Sequence, residues 1–234
     1  LLISTIEEVG TKGVTAEGLR YAFTNTVVSH WNPVTVLSHM VMVQLFGLAP
    51  GPQHAANVAI HFLSAVLVYW ILFRMTGSPW PSLLAALTFA VHPLRAESVA
   101  WIAERKGLLS GFFGLLTVSA YVEYARKLGA WRYLLVALTF ALSLMGKAAL
   151  LSLPVALLVL DYWPLGRVPK EKARWSREGL KLFAEKVPLL AFALGSAVIT
   201  LEVTSRHHVV GSSDVFPLIV RLGNAARSCF MYLA

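Results

Sequence analysis

Long apolar stretches alternate with short polar connections along this chain. The windows without a charged residue are 21–73, 75–94, 107–122, 133–146 and 187–201. Several of them approach the roughly 17–25 residues that an α-helix needs to cross a bilayer. Lipid offers the backbone no hydrogen bonds, so a spanning segment must be a helix or part of a closed barrel, and these windows lack the alternating barrel pattern. The pattern therefore predicts an all-α, polytopic transmembrane helical bundle.

The same pattern divides the chain into two parts. Residues 1–52 mix polar and apolar positions, and we expect them to form an outer-face loop with short amphipathic, interfacial helices. One helix is expected after Thr15, a residue suited to an N-cap, and a second after Pro33, which suits the first helical position. Residues 53–234 are expected to form the bundle. The predicted spans are 53–74, 79–93, 107–125, 131–147, 149–165 and 186–203.

Composition supports a membrane protein and decides its predicted orientation. Apolar residues make up 57% of the chain, charged residues 14%, and the mean hydropathy is +0.66, whereas a soluble domain has roughly 25% charged residues. The loop from Arg167 to Lys186 carries seven basic and three acidic residues, so the positive-inside rule places it in the cytoplasm. Because anionic lipid explains a basic loop, the net charge of +8 requires no nucleic acid.

The ends of the sequence and its cysteine content add little. The chain begins with Leu1 rather than Met and shows no signal peptide, so we expect an internal piece of a longer protein. Cys229 is the only cysteine, which excludes an intramolecular disulfide.

One charged segment interrupts the apolar pattern. HPLRAESVAWIAERKG, residues 92–107, holds five charged side chains between two apolar runs, and the predicted orientation puts it at the outer membrane surface. If a helix starts at Pro93, then Glu97, Trp101 and Arg105 follow at i, i+4 and i+8 on one face. Two interpretations stay open: an interfacial helix anchored by its Trp and an ion pair, or an anion site in which Arg and Lys bind phosphate.

The charged segment and three further stretches resemble one protein family. HPLRAESVAWIAERKGLLSGFF, HWNPVTVLSHMVMVQLFGL, LMGKAALLSLP with LVLDYWPLGR, and RLGNAARSCFMYL are similar to the bacterial relatives of the transmembrane and tetratricopeptide-repeat O-mannosyltransferases. The resemblance runs from about Gly13 to the end of the chain. It implies the membrane part of a glycosyltransferase type C fold, located in the bacterial inner membrane with its active site facing outward.

The resemblance also implies a reaction and a set of partners. Such an enzyme transfers a sugar, mannose in the named family, from a polyprenyl-phosphate carrier to an acceptor hydroxyl of a protein or glycan. The acidic base expected after the first span of this fold would lie upstream of Leu1, and the repeats are absent from these residues. Related sequences often have His or Arg at position 32, Asp at position 107 and Pro at position 148. This sequence has Asn32, Gly107 and Ala148 instead. No cofactor is indicated, although a divalent metal is compatible with the fold.

Candidate site residues follow from the charged segment and the resemblance. The set comprises donor-phosphate ligands, sugar-binding or site-shaping residues, and acceptor-side residues. The donor-phosphate ligands are Arg105, Lys106, Arg95 and Lys147. The sugar-binding or site-shaping residues are Glu97, His92, Trp101 and Glu104. The acceptor-side residues are Trp31, Asn32 and His39.

Asp161 and the pair of His207 and His208 are not expected to take part in catalysis. Asp161 is expected to be structural, capping a helix or pairing with Arg167. The adjacent His207 and His208 fit a solvated loop better than a metal site.

A transporter or flippase of a lipid-linked or anionic solute is the alternative function, and a non-catalytic scaffold of the same fold is another. The clustering of charges at one membrane face favours the transferase over a transporter with a site at the midplane.

Overall fold

The computed structural model describes residues 10, 12–27, 30–168, 177–206 and 218–233, and within them the protein is helical. These residues contain no strand beyond one isolated bridge between Val27 and His30. The predicted all-α class is thus confirmed. Glu7, Glu8, His207, His208 and residues 169–176 of the basic loop lie outside the described residues.

Ten α-helices are described, and two single 3₁₀ turns separate some of them. The helices are α1 (Ala16–Thr24), α2 (Pro33–Phe46), α3 (Pro50–Thr76), α4 (Pro79–Val91), α5 (Ala96–Ala100), α6 (Arg105–Arg126), α7 (Ala130–Gly146), α8 (Leu153–Tyr162), α9 (Arg177–Arg206) and α10 (Leu218–Leu233). The 3₁₀ turns are Pro93–Arg95 and Ile102–Glu104.

Local sequence explains where the first helices begin and end. The Thr15 hydroxyl accepts a hydrogen bond from the Gly18 amide and caps α1, as predicted. Pro33 is the first residue of α2, also as predicted. Helix α2 ends earlier than the Pro-rich segment at 49–52, because Gly47 takes φ +64°. This left-handed φ is easy only for glycine, and it turns the chain into α3 at Pro50.

Among the described residues, three helical stretches are long and apolar enough to cross a membrane: Pro50–Thr76, Ile102–Arg126 and Gly179–Arg206. Helices α2, α4, α7 and α8 are apolar but have only 10 to 17 residues. Six full spans were predicted. Three of them, at 79–93, 131–147 and 149–165, correspond to these shorter helices.

Helices α6, α7 and α8 enclose the main core, together with part of α9. Its buried apolar side chains include Tyr121, Phe140, Leu157 and Leu189, each 0% exposed. Gly146 permits the close approach of α7 to α6, because a Cβ there would lie 3.0 Å from the Ser110 amide nitrogen. By contrast, large apolar side chains on the outer faces, such as Phe62 and Leu194, are exposed and available to lipid.

The charged segment is not the single helix that the sequence predicted. Trp101 takes extended dihedral angles, φ −86° and ψ 115°, and so separates α5 from the 3₁₀ turn that precedes α6. The break is held from outside, since the Asn57 side-chain amide donates to the carbonyls of Val99 and Trp101. The predicted i, i+4, i+8 face is therefore wrong: Arg105 is buried, while Trp101 is 53% exposed and Glu97 lies at the surface.

Helix α6 separates two polar regions. Arg105 is its first residue, and Tyr121, which contacts Asp161, lies near its last turn. At 1.5 Å of rise per residue these positions are about 24 Å apart. The charged segment and the ends of the basic loop consequently lie at opposite ends of this helix.

Candidate functional site

Arg105 lies in the interior rather than at the membrane surface, where the sequence placed it. Its side chain is 0% exposed. Nε donates to Asn57 Oδ1 at 2.8 Å, Nη2 donates to the Gln53 carbonyl at 2.6 Å, and Nη1 lies 3.2 Å from His39 Nδ1. The first two partners belong to α3 and His39 to α2. Arg105 therefore ties the start of α6 to two other helices and presents no free guanidinium to a phosphate.

His39 is neutral in this arrangement. Arginine is only a hydrogen-bond donor, so His39 Nδ1 must be the acceptor and its proton sits on Nε2. Burial and the neighbouring charge of Arg105 lower the pKa of His39 to about 4. The sequence had suggested that His39 lies on the acceptor side of a site. Instead the imidazole is only 8% exposed and supports Arg105.

A cleft opens directly beside Arg105, at the same end of α6. It is lined by residues 30–32, the start of α6, the end of α7 and one face of α9. The lining residues are His30, Trp31, Asn32, Lys106, Gly146, Lys147, Ala148, Thr200 and Val203. Four predicted site residues meet here: Lys106 and Lys147 from the phosphate set, and Trp31 and Asn32 from the acceptor set.

Two lysines and one glutamate form the charged edge of this cleft. Glu104 lies between Lys147 Nζ, 3.4 Å from Oε2, and Lys106 Nζ, 3.9 Å from Oε1. Two ammonium groups against one carboxylate leave a net positive charge. Both lysine side chains keep part of their surface accessible, 21% for Lys106 and 43% for Lys147. The trio can accept an anion without leaving a buried charge unpaired.

Buried hydroxyl groups fix the backbone that carries Lys147. Ser110 Oγ donates to the Lys147 carbonyl at 3.0 Å, and Thr35 Oγ1 donates to the Gly146 carbonyl at 3.1 Å. Ser143 Oγ donates to the Ser110 carbonyl at 2.8 Å. Since α7 ends at Gly146, the Thr35 and Ser110 hydroxyls bind carbonyls at a helix end where intrahelical donors run out, and Ser143 ties α7 to α6. They hold Lys147 at a fixed place in the cleft.

The opposite wall of the cleft comes from the residues before α2. Trp31 Nε1 donates to the Phe23 carbonyl at 2.9 Å, which fixes the indole ring. Partial desolvation, together with Lys106 and Lys147, lowers the pKa of His30. The ring of His30 is therefore neutral at pH 7, and the positive charge of the cleft resides on the two lysines.

Arg95 and His92 line a second, more open groove. This groove is bounded by α3, α4 and α5 and shares no lining residue with the cleft. Arg95 lies over the ring of Phe89, 4.8 Å from its centroid. His92 Nδ1 accepts a hydrogen bond from the Leu94 amide at 3.3 Å, a backbone contact typical of a structural histidine. The structure thus separates Arg95 from Lys106 and Lys147, which the sequence grouped together.

Several residues that build the site were not singled out from the sequence. His30, Thr35, Asn57 and Ser110 are uncharged, and each acts through a partner more than 30 positions away or through the cleft wall. No local pattern marks such contacts. In the sequence, the one indication of their roles was that Thr35 and Asn57 are polar residues within otherwise apolar stretches.

A second polar cluster lies at the other end of α6. Asp161 receives hydrogen bonds from Tyr121, from Lys186 and from Arg167, whose Nη1 is 3.0 Å from Oδ1. Arg167 also pairs with Glu185. The predicted pairing of Asp161 with Arg167 is confirmed. Two acidic and two basic groups balance one another, so this cluster is structural.

Neither region offers a metal site. Within the described part of the chain, no group of three His, Cys, Asp or Glu side chains is close enough to hold a metal ion.

Comparison with known proteins identifies distant relatives. The human protein named Protein O-mannosyl-transferase TMTC4 is 35% identical over 117 residues, which cover 44% of this chain and 16% of that protein. Protein O-mannosyl-transferase Tmtc1 of Drosophila melanogaster is 31% identical over 146 residues, 61% of this chain and 17% of that protein. Protein O-mannosyl-transferase Tmtc2 of the same organism is 32% identical over 103 residues, 44% of this chain and 11% of that protein.

These matches relate the chain to the O-mannosyl-transferases over a limited region. The chain spans about a sixth of the length of the first two of these relatives. No family model matches the sequence, and no solved structure matches it at comparable significance.

Proposed function

We propose that this chain belongs to an integral-membrane glycosyltransferase that transfers a sugar from a polyprenyl-phosphate carrier to an acceptor hydroxyl of a protein or glycan. The cleft beside Arg105 is its donor site. Two observations support the proposal: the relatives are named protein O-mannosyl-transferases, and Lys106 and Lys147 converge from two helices around Glu104. The convergence of the two lysines carries it, because an anionic donor needs this charge.

In the proposed reaction the acceptor oxygen attacks the anomeric carbon of the sugar. A carbon–oxygen bond to the acceptor forms, the bond from the anomeric carbon to the phosphate oxygen breaks, and the electron pair leaves with the polyprenyl phosphate. Negative charge therefore grows on the phosphate. Lys106 and Lys147 stabilise it electrostatically, as preorganised cations do in other transfer reactions. The proton of the acceptor passes to a base that we do not assign among the described residues.

Arg105 has a positioning role in this proposal rather than the phosphate-binding role that the sequence suggested. It holds α2 and α3 against the start of α6 and so fixes the adjacent Lys106 and the Glu104 side chain. Glu104 keeps the two ammonium groups together before the donor binds. Arg95 lies in the separate groove and is expected to contribute little to transfer.

The location is part of the same proposal. We place the chain in a bacterial inner membrane with the cleft facing outward and the Asp161 cluster facing the cytoplasm, in a glycosyltransferase type C fold. Support comes from the seven basic residues of the loop at 167–186, which favour the cytoplasm, and from the separation of cleft and loop along α6.

The test is sugar transfer from a polyprenyl-phosphate donor by the purified intact protein. We expect Lys106→Ala and Lys147→Ala each to reduce the rate by about one to two decades at unchanged thermal stability. Lys147→Arg should retain part of the rate, and Arg95→Ala serves as the control for loss of one cation at the same end. Movement of the donor across vesicles without any glycosylated product would instead identify a transporter.

A further inference from the structure

Asn32 has an unusual environment at the start of α2. It is the N-cap residue, but its side chain makes no capping hydrogen bond. Asparagine is preferred at this position because its side-chain oxygen normally accepts from a backbone amide of the first turn. Here the amides of Thr35 and Val36 donate to the Asn32 backbone carbonyl, at 3.0 and 3.1 Å, and Pro33 has no amide hydrogen. The side-chain oxygen takes no part in capping.

That oxygen is buried and has no partner among the described residues. Asn32 is 8% exposed, and its Oδ1 is enclosed without a hydrogen bond. A buried acceptor without a donor is costly, and such groups in proteins usually mark a ligand or an ordered water. Because Asn32 lines the cleft with Lys106 and Lys147, a ligand in the cleft can supply the missing donor.

The two sides of the cleft require different chemical groups. The lysines donate hydrogen bonds and charge, so they suit a phosphate, whose oxygens accept. An ionised phosphate diester has no hydrogen to give to Asn32 Oδ1, whereas a hydroxyl has one. The fixed indole of Trp31 adds an apolar ring beside it. A single ligand that satisfies both sides carries a phosphate and a hydroxylated ring.

We propose that Asn32 Oδ1 accepts a hydrogen bond from a sugar hydroxyl of the donor while its phosphate lies on Lys106 and Lys147. Asn32 is then a specificity-determining residue, which distinguishes a glycosyl phosphate from a bare phosphate or lipid phosphate. This inference rests on the proposed donor site and adds to it the place of the sugar.

The test compares two soluble probes, mannose 1-phosphate and inorganic phosphate, by titration calorimetry on the intact protein in detergent. We expect wild type to bind mannose 1-phosphate about tenfold more tightly than inorganic phosphate, because its hydroxyl satisfies a buried acceptor. Asn32→Ala should abolish this preference and leave the affinity for inorganic phosphate within about twofold. Lys147→Ala should weaken both ligands.

Two further variants guard against a folding artefact. Asn32→Ser keeps a residue that is favourable at a helix N-cap but shortens the side chain, so it should also lose the preference. Asn25→Ala removes a carboxamide from the end of α1, outside the cleft, and should keep the preference.

Three results would overturn the inference and can be told apart. If wild type binds inorganic phosphate but shows no preference for the sugar phosphate, a water satisfies Asn32 and the phosphate site stands alone. If the preference survives in both Asn32 variants, residues other than Asn32 recognise the sugar. If wild type binds neither probe, the donor site itself is wrong and the role of Asn32 falls with it.

Discussion

Replacing Arg105 by alanine tests the most unexpected feature of the structure. The change removes three hydrogen bonds and leaves Asn57 Oδ1, His39 Nδ1 and the Gln53 carbonyl without their donor. Each buried acceptor left unsatisfied costs about 1–3 kcal/mol. The substitution also removes the desolvation cost of the buried guanidinium, which offsets part of this loss. Breaking such a buried charged network typically costs about 3–5 kcal/mol in all.

The expected loss is large enough to measure by thermal unfolding in detergent. For a chain of this size, 1 kcal/mol corresponds to about 2–4 °C in Tm. Arg105→Ala should therefore lower Tm by about 6–20 °C. Arg105→Lys should recover only part of the loss, because an ammonium cannot reach three acceptors with the geometry of the planar guanidinium.

Lys106→Ala is the matched control, because it removes the neighbouring positive charge. Lys106 makes only a 3.9 Å contact with Glu104 and keeps part of its surface exposed, so its Tm should change by less than about 2 °C. If Arg105→Ala unfolds within 2 °C of wild type, Arg105 does not hold the three helices together, and the interior placement that underlies the cleft is refuted.

The remaining predictions concern the polar cluster, pH and the open groove. Asp161→Asn should destabilise the protein by about 3–5 kcal/mol, because Lys186, which is 0% exposed, loses its shorter ion pair and keeps only the 3.5 Å contact with Glu185. The double variant with Lys186→Met should recover part of this in thermal unfolding, and additive losses would contradict it. Below pH 6.5 the unfolded chain protonates His39 while the folded chain, with the pKa near 4, does not. Stability should therefore fall by up to about 3 kcal/mol between pH 6.5 and 4, and this fall should be smaller in His39→Gln; parallel pH profiles would exclude His39 as the cause. Arg95→Ala should leave sugar transfer within about twofold of wild type, and a loss equal to that of Lys147→Ala would extend the donor site to the groove.

The sequence predicts the class of this fold and several of its details. Charge-free windows identify the apolar helices, Thr15 and Pro33 mark the starts of α1 and α2, and the spacing of Asp161 and Arg167 indicates their ion pair. Each of these features depends on neighbours within about six positions, and local pattern is sufficient for them. The predicted spans at 79–93, 131–147 and 149–165 correspond to helices of only 10 to 17 residues, because hydropathy does not show where a turn ends a helix such as α4.

The site was harder to predict because it depends on contacts between distant segments. Arg105 looks like a surface residue in a charged segment, yet its partners His39, Gln53 and Asn57 lie 48 to 66 positions away. The break at Trp101 likewise depends on Asn57. Lys106, Lys147 and Asn32 were selected as candidates, but only the packing of α6 against α7 and α2 shows that they share one cleft and that Arg95 does not.

Whether the donor binds in the cleft can be measured directly, because a bound donor should protect a cleft thiol from chemical modification. Ala148→Cys places a thiol in the cleft, and Ala96→Cys places one in the groove beside Arg95; neither change removes a lysine. The measured quantity is the rate of thiol modification by a soluble methanethiosulfonate reagent, in an otherwise cysteine-free background, with and without saturating polyprenyl-phosphate sugar. We expect the donor to slow modification at position 148 by about tenfold or more and to leave the rate at position 96 unchanged, because a bound ligand buries the cleft wall. Equal rates at position 148 with and without donor, or protection at position 96 alone, would contradict it.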